Sequence, residues 1–183
     1  MLVVVAPTEH LKTQWADAAA RVSIRLDPHF TNKHWAPARH YHGVAVTYAQ
    51  VAAKASVHQR LTEEARTLVI LDEVHHGGDA LSCGDSLREA YQRATRRLLL
   101  SGTQFRSDTA PIPFVEYHPD EKGIRISRTD YAYGYRRALE DGSTRQSIAE
   151  ECREAALTFM AGVGGGWDKL DLALWLTGAY ARA

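Results

Sequence analysis

At 183 residues, 45% of them apolar, the chain can bury one sizeable core but is short for two ordinary domains. Its 22 Lys and Arg balance 22 Asp and Glu, so no global positive field attracts nucleic acid, and any such contact has to come from local loops. Cys83 and Cys152 show neither metal-ligand spacing nor a secretory disulfide framework, Met1–Ala6 is too short and lacks the basic flank of a signal peptide, and no run reaches membrane-spanning length; a soluble, cytoplasmic protein without a membrane partner is expected.

In chain order, Leu2–Ala6 is an aliphatic run of strand length. Thr8 is placed to cap a helix in which Leu11, Trp15, Ala18 and Val22 share one face. Pro28 to His42, with two prolines and several aromatic and histidine residues, has no clear period and reads as a loop-rich connection. Val44–Val46 and Leu68–Leu71 are further strand candidates. Asp85 can cap a helix that puts Leu87, Tyr91 and Ala94 inward and Arg88, Glu89, Gln92 and Arg93 outward, and Leu98–Leu100 is a fourth strand candidate. None of the four runs alternates apolar with polar residues, which predicts parallel strands buried on both faces.

Past Thr103 the character changes. Pro111, Pro113 and Pro119 interrupt any long element, and the alternate tyrosines Tyr131, Tyr133 and Tyr135 suit one packed face of a strand better than a base-stacking platform. This part is expected to pack on the sheet without joining its centre. Ser147–Met160 reads as helix, Gly162–Gly166 as a flexible break, and Trp167–Ala181 as a second apolar helix-like run. The chain thus divides into an α/β unit over 1–145 and a helical extension over 146–183.

Each aliphatic run ends in polar or small residues: Pro7-Thr8, Thr47-Tyr48, Asp72-Glu73-Val74-His75 and Ser101-Gly102-Thr103. Ligands of open α/β sheets bind outside the carboxyl ends of the strands, so these clusters are expected to form one site on one rim. Two adjacent carboxylates at the end of a buried strand suit phosphoanhydride hydrolysis, one holding Mg²⁺ and the other handling the attacking water.

Asp72-Glu73-Val74-His75 resembles motif II, the DExH box, of superfamily 2 helicases. Val4-Val5-Ala6-Pro7-Thr8 with Leu11 and Gln14-Trp15 is similar to their motif Ia, and Val46-Thr47-Tyr48-Ala49-Gln50 to the segment near motif Ib. Leu100-Ser101-Gly102-Thr103-Gln104-Phe105-Arg106 resembles motif III of the branch containing type III restriction subunits and the XPB group, with Gln104 in place of the usual proline. The resemblance implies a RecA-like parallel sheet flanked by helices, an ATP and Mg²⁺ cofactor requirement, and a nucleic-acid track, with DNA expected ahead of RNA. It assigns Asp72 to the metal and, with Glu73, to the nucleotide; Glu73 to the role of catalytic base; and His75 to coupling with Ser101 and Thr103. Pro7 and Thr8, and also Thr47 and Tyr48, would meet the phosphates of a bound strand.

No Gly-x-x-x-x-Gly-Lys-Ser/Thr phosphate-binding loop occurs in the chain, although it precedes motif Ia in this family. Nor is there a second RecA-like domain, so the resemblance implies a partial first motor domain, inactive by itself, with that second domain as its missing partner. Its Leu98–Leu100 strand is then expected to face an empty strand position. Two other readings stand beside this one: a non-catalytic nucleic-acid-binding or regulatory module, and a metallohydrolase using His75, His76 and Asp79.

Overall fold

The structure, a computed structural model, describes residues 1–78, 81–102, 111–121, 123, 125–132 and 172–175. The four aliphatic runs are strands β1 (Leu2–Ala6), β3 (Gly43–Thr47), β4 (Leu68–Leu71) and β5 (Arg96–Ser101), and the two-residue strand β2 (Leu26–Asp27) lies outside β3. With the later β8 (Tyr131–Ala132) and β9 (Leu172–Trp175) they form a seven-stranded sheet in the order β2-β3-β1-β4-β5-β9-β8, in which every pairing is parallel. A separate antiparallel pair, β6 (Tyr117–Pro119) with β7 (Arg125–Ser127), follows β5 in the chain.

Helices cover both faces, which is why the strands carry no polar alternation. Helix α1 (Glu9–Arg21) buries Trp15 and Ala19 against Val4, Ala45, Ile70, Leu98 and Leu100. On the other face α2 (Tyr48–Ala53), α3 (Ala55–Glu64) and α4 (Leu81–Tyr91) bring Val51, Leu61, Leu87 and Tyr91 onto Val3, Val46, Val69, Leu71 and Leu99. The period of two along each strand thus divides its side chains between two cores. Close approach of β1 and β3 demands Gly43, because a Cβ there would lie 1.7 Å from the Leu2 carbonyl oxygen. No described helix is long and apolar enough to cross a membrane.

The α/β parallel sheet flanked by helices agrees with the sequence expectation, and so does the loop from Pro28 to His42. Four local expectations are corrected. Asp85 does not cap α4, which begins a turn earlier at Leu81. Leu172–Trp175, expected as helix, is a strand, because a short Leu-rich run has no period that separates the two states. As a result Leu98–Leu100 does not face an empty position: β9 pairs with β5 from Leu98↔Leu172 to Ser101↔Trp175, so the later chain does join the sheet. An aliphatic strand with one unpaired flank leaves N–H and C=O groups that demand partners, and β9 supplies them. Tyr131, which opens β8, is 43% exposed instead of packed. Tyr133, Tyr135, the helix expected over Ser147–Met160, the break at Gly162–Gly166 and the remainder of Trp167–Ala181 lie outside the described residues.

Candidate active site at the carboxyl ends of the strands

The parallel register aligns Ala6 with Thr47, Val5 with Leu71, and Leu71 with Leu99, so the segments following β1, β3, β4 and β5 leave the sheet at one rim. Chains leaving β1 and β4, which are neighbours, turn to opposite faces: α1 packs on one, the helices after β4 on the other. A crevice opens at such a divergence, and it is the usual ligand position in open α/β sheets. Asp72 and Glu73 stand there.

Asp72 is held from three directions. Its backbone N–H donates to the Val5 carbonyl at 2.9 Å, the Tyr48 hydroxyl donates to its carbonyl at 2.8 Å, and the indole Nε1–H of Trp15 donates to its carboxylate Oδ2 at 2.7 Å. Trp15 is fully buried, so its lone polar atom needed an acceptor, and the Asp72 carboxylate is one. The contact spans 57 positions in sequence and ties α1 to the end of β4. The sequence places Trp15 on the buried face of a helix and beside the segment resembling motif Ia, without a role toward Asp72; the signal available is that a buried indole N–H seeks a partner.

Glu73 adopts a left-handed backbone conformation, φ +49°. For a residue with a Cβ this costs about 1–2 kcal/mol, and such strain collects where side-chain aim matters. The turn swings Glu73 toward β5: Gly102 N–H donates to its Oε2 at 3.2 Å, and His75 Nδ1 is 3.3 Å from the same oxygen. A 3₁₀ turn over Val74–Gly78 brings His75 round, and its Nδ1 is hydrogen bonded to Ser101 Oγ at 2.7 Å. His75 Nδ1 thus stands between the Ser101 hydroxyl and the Glu73 carboxylate. Ser101 is buried, whereas Glu73 and His75 keep 19% and 20% of their side-chain surface, enough to meet a ligand from the rim.

The remaining predicted residues divide. Thr8 is exposed and caps α1, its hydroxyl oxygen accepting from Leu11 N–H at 3.3 Å, with Pro7 half-buried beside it. Thr47 caps α2 by accepting from Gln50 N–H and is buried, as is Tyr48. Their geometry departs from an open strand-contact surface: Tyr48 spends its hydroxyl on Asp72. Thr103 and Asp79 lie outside the described residues, and among the described residues no group of three candidate ligands is gathered around His75 and His76.

A family model for the res subunit of type III restriction enzymes matches residues 1–106. The chain belongs to that family. It is 56% identical over 147 residues to an uncharacterized protein of Mycobacterium tuberculosis strain H37Rv, covering 80% of this chain and 24% of the relative. An uncharacterized protein of Mycobacterium leprae is 54% identical over 147 residues, with 80% and 25% covered. The chain therefore spans about a quarter of the length of these curated relatives. Family membership agrees with the superfamily 2 resemblance of the four motifs and with the parallel α/β sheet.

Proposed function

We propose that this chain is part of the first motor domain of an ATP-dependent nucleic-acid helicase or translocase, with DNA as the preferred track. The observation that carries the reading is the set of contacts linking three strand ends, Trp15 to Asp72 and Glu73 through His75 to Ser101. It joins the candidate metal carboxylate to the helix capped at the candidate track contact, and the candidate base to the segment resembling motif III.

In this reading Asp72 holds Mg²⁺ of a bound ATP. The donor set fits: a carboxylate at the end of a buried strand, oriented by an indole N–H, is an oxygen ligand suited to a hard cation that keeps most of its water. The nucleotide and its metal supply the phosphoanhydride and its charge neutralisation. Glu73, aimed by its strained backbone, accepts the proton of the attacking water. His75 and Ser101, with Thr103, transmit the state of Glu73 to β5. Thr8 and Pro7 present a helix N-terminus to strand phosphates, which positions the strand without reading bases. Tyr48 holds the Asp72 backbone in place, and Thr47 caps the helix that begins at Tyr48.

Because the chain contains no Gly-x-x-x-x-Gly-Lys-Ser/Thr sequence, it lacks three or four charge-assisted bonds to phosphate, each worth about 1.5–3 kcal/mol. By itself it neither binds ATP tightly nor hydrolyses it; calorimetry with MgATP showing micromolar affinity would overturn this. A second reading is a non-catalytic nucleic-acid-binding module. The two separate in the whole protein: DNA-stimulated ATP hydrolysis lost in Glu73→Gln supports the motor, and DNA binding with no hydrolysis under any condition supports the module.

A further inference from the structure

The rim opposite Asp72, where the strands begin, contains a cavity of about 500 Å³. Its floor is apolar, formed by Leu2, Ile24 and Leu68, and its polar side carries Arg96, Arg66 and His42. Among the described residues no acidic side chain lines it. Arg96 opens β5 and is only 7% exposed, yet its Nε has no hydrogen-bond partner. A guanidinium does not shed its proton on burial, so a largely buried one whose Nε lacks a partner carries an electrostatic cost. His42 adds a donor of known direction: its Nδ1 accepts from Arg25 N–H at 2.9 Å, which leaves the ring proton on Nε2. Arg66 is exposed and sets a positive potential at the entrance.

We propose that this cavity binds a small organic anion, a carboxylate or phosphate monoester on an apolar body, with its charged head on Arg96 and its body against Leu2, Ile24 and Leu68. The volume lies within the usual range for small-molecule sites, and an apolar wall with a few convergent donors is their usual make-up. A fork of guanidinium donors matches the planar carboxylate and the phosphate group alike. The site shares no residue with the Asp72 rim, so the proposal does not rest on the motor reading.

The test uses the full chain with phenyl phosphate, benzoate and, as the uncharged control of the same size, benzyl alcohol, followed by calorimetry and thermal shift. Phenyl phosphate or benzoate is expected to bind saturably and raise the melting temperature, and benzyl alcohol to do neither. Arg96→Met should weaken the anion by about tenfold or more, the loss of one charge-assisted contact. Without ligand, Arg96→Met should melt at or above the wild-type temperature, since it removes a largely buried charge whose Nε lacks a partner. Should that variant fail to fold, the exposed Arg66→Ala and His42→Ala carry the test, each weakening phenyl phosphate severalfold. Equal binding of benzyl alcohol, absence of anion binding at millimolar concentration, or unchanged affinity in all of the folded variants overturns the proposal.

Discussion

His58 and His75 each bond a hydroxyl group, Tyr91 and Ser101 respectively, but only His75 stands beside a carboxylate. His58 is fully buried on the inner face of α3 with neutral partners on both nitrogens, Asn32 Oδ1 at 3.0 Å and Tyr91 at 3.3 Å. Burial pushes its pKa down from 6.5 to about 4, against a smaller opposing contribution from a backbone hydrogen bond with Gln50. Burial likewise pushes the Tyr91 hydroxyl upward, so that it remains a donor. One histidine is insulated from water and from charge; the other keeps part of its surface open and touches the acidic pair. The contrast teaches that a satisfied histidine in a core and one in a relay are told apart by the charge of their partners.

The sharpest way to break this comparison is at its acidic end. In the whole protein, Glu73→Gln is expected to lower DNA-stimulated ATP turnover by about 10²–10⁴-fold, the usual worth of a general base, with unfolding in urea nearly unchanged. His58→Ala should do the reverse. Removal of a buried ring and its two hydrogen bonds is expected to cost about 2–4 kcal/mol in urea unfolding, against under about 1 kcal/mol for the part-exposed His75→Ala. If His75→Ala were the more destabilising of the two, the division of roles would be wrong.

The pH dependence sharpens the same point. The folded pKa of His58 lies below its unfolded value, so the unfolded chain binds the proton first. Stability from this group is therefore complete above pH 6.5 and is lost as pH falls toward about 4, at up to roughly 1.4 kcal/mol per pH unit. Urea midpoints from pH 7 to 4 should show this slope in the wild type and a shallower one in His58→Gln; parallel curves would remove His58 from the account. A smaller effect is expected from Tyr91→Phe, which leaves His58 Nδ1 without a donor at a cost of about 1–3 kcal/mol. The smallest is Thr8→Ala, about 1 kcal/mol for a lost cap, measured by thermal melting. A loss well beyond that would mean Thr8 does more than cap α1.

Much of this organisation was legible in the sequence. The four central strands declared themselves because both faces of the sheet are covered, and α1 because Thr8 and the Leu11–Trp15 spacing agree. Helices α2 and α3 were not read. They are short, broken at Lys54, and bury the polar His58 and Thr62 alongside Val51, Val57 and Leu61, so no single apolar period runs through them. At the rim, the pairing of His75 with Ser101 follows from the motif resemblance, whereas the tie between Trp15 and Asp72 joins residues far apart in sequence and needed the fold. Strand β9 escaped because Leu-Ala-Leu-Trp carries no information about which secondary structure will claim it.

The all-parallel sheet also bears on how fast the chain folds. No two of its strands are joined by a hairpin: Leu2 waits for Gly43 and Leu68, and Leu98 for Leu172, so each ladder closes only after a long stretch of chain has been drawn in. The local antiparallel pairing of Tyr117 with Ser127 can form early, but it lies outside the sheet. Since loop closure precedes the gain from non-local contacts, refolding from urea should be slow for a chain of this size. The β1–β3–β4 centre is the natural nucleus, and the slowest event the arrival of β9, at the flank of the strand that carries Ser101.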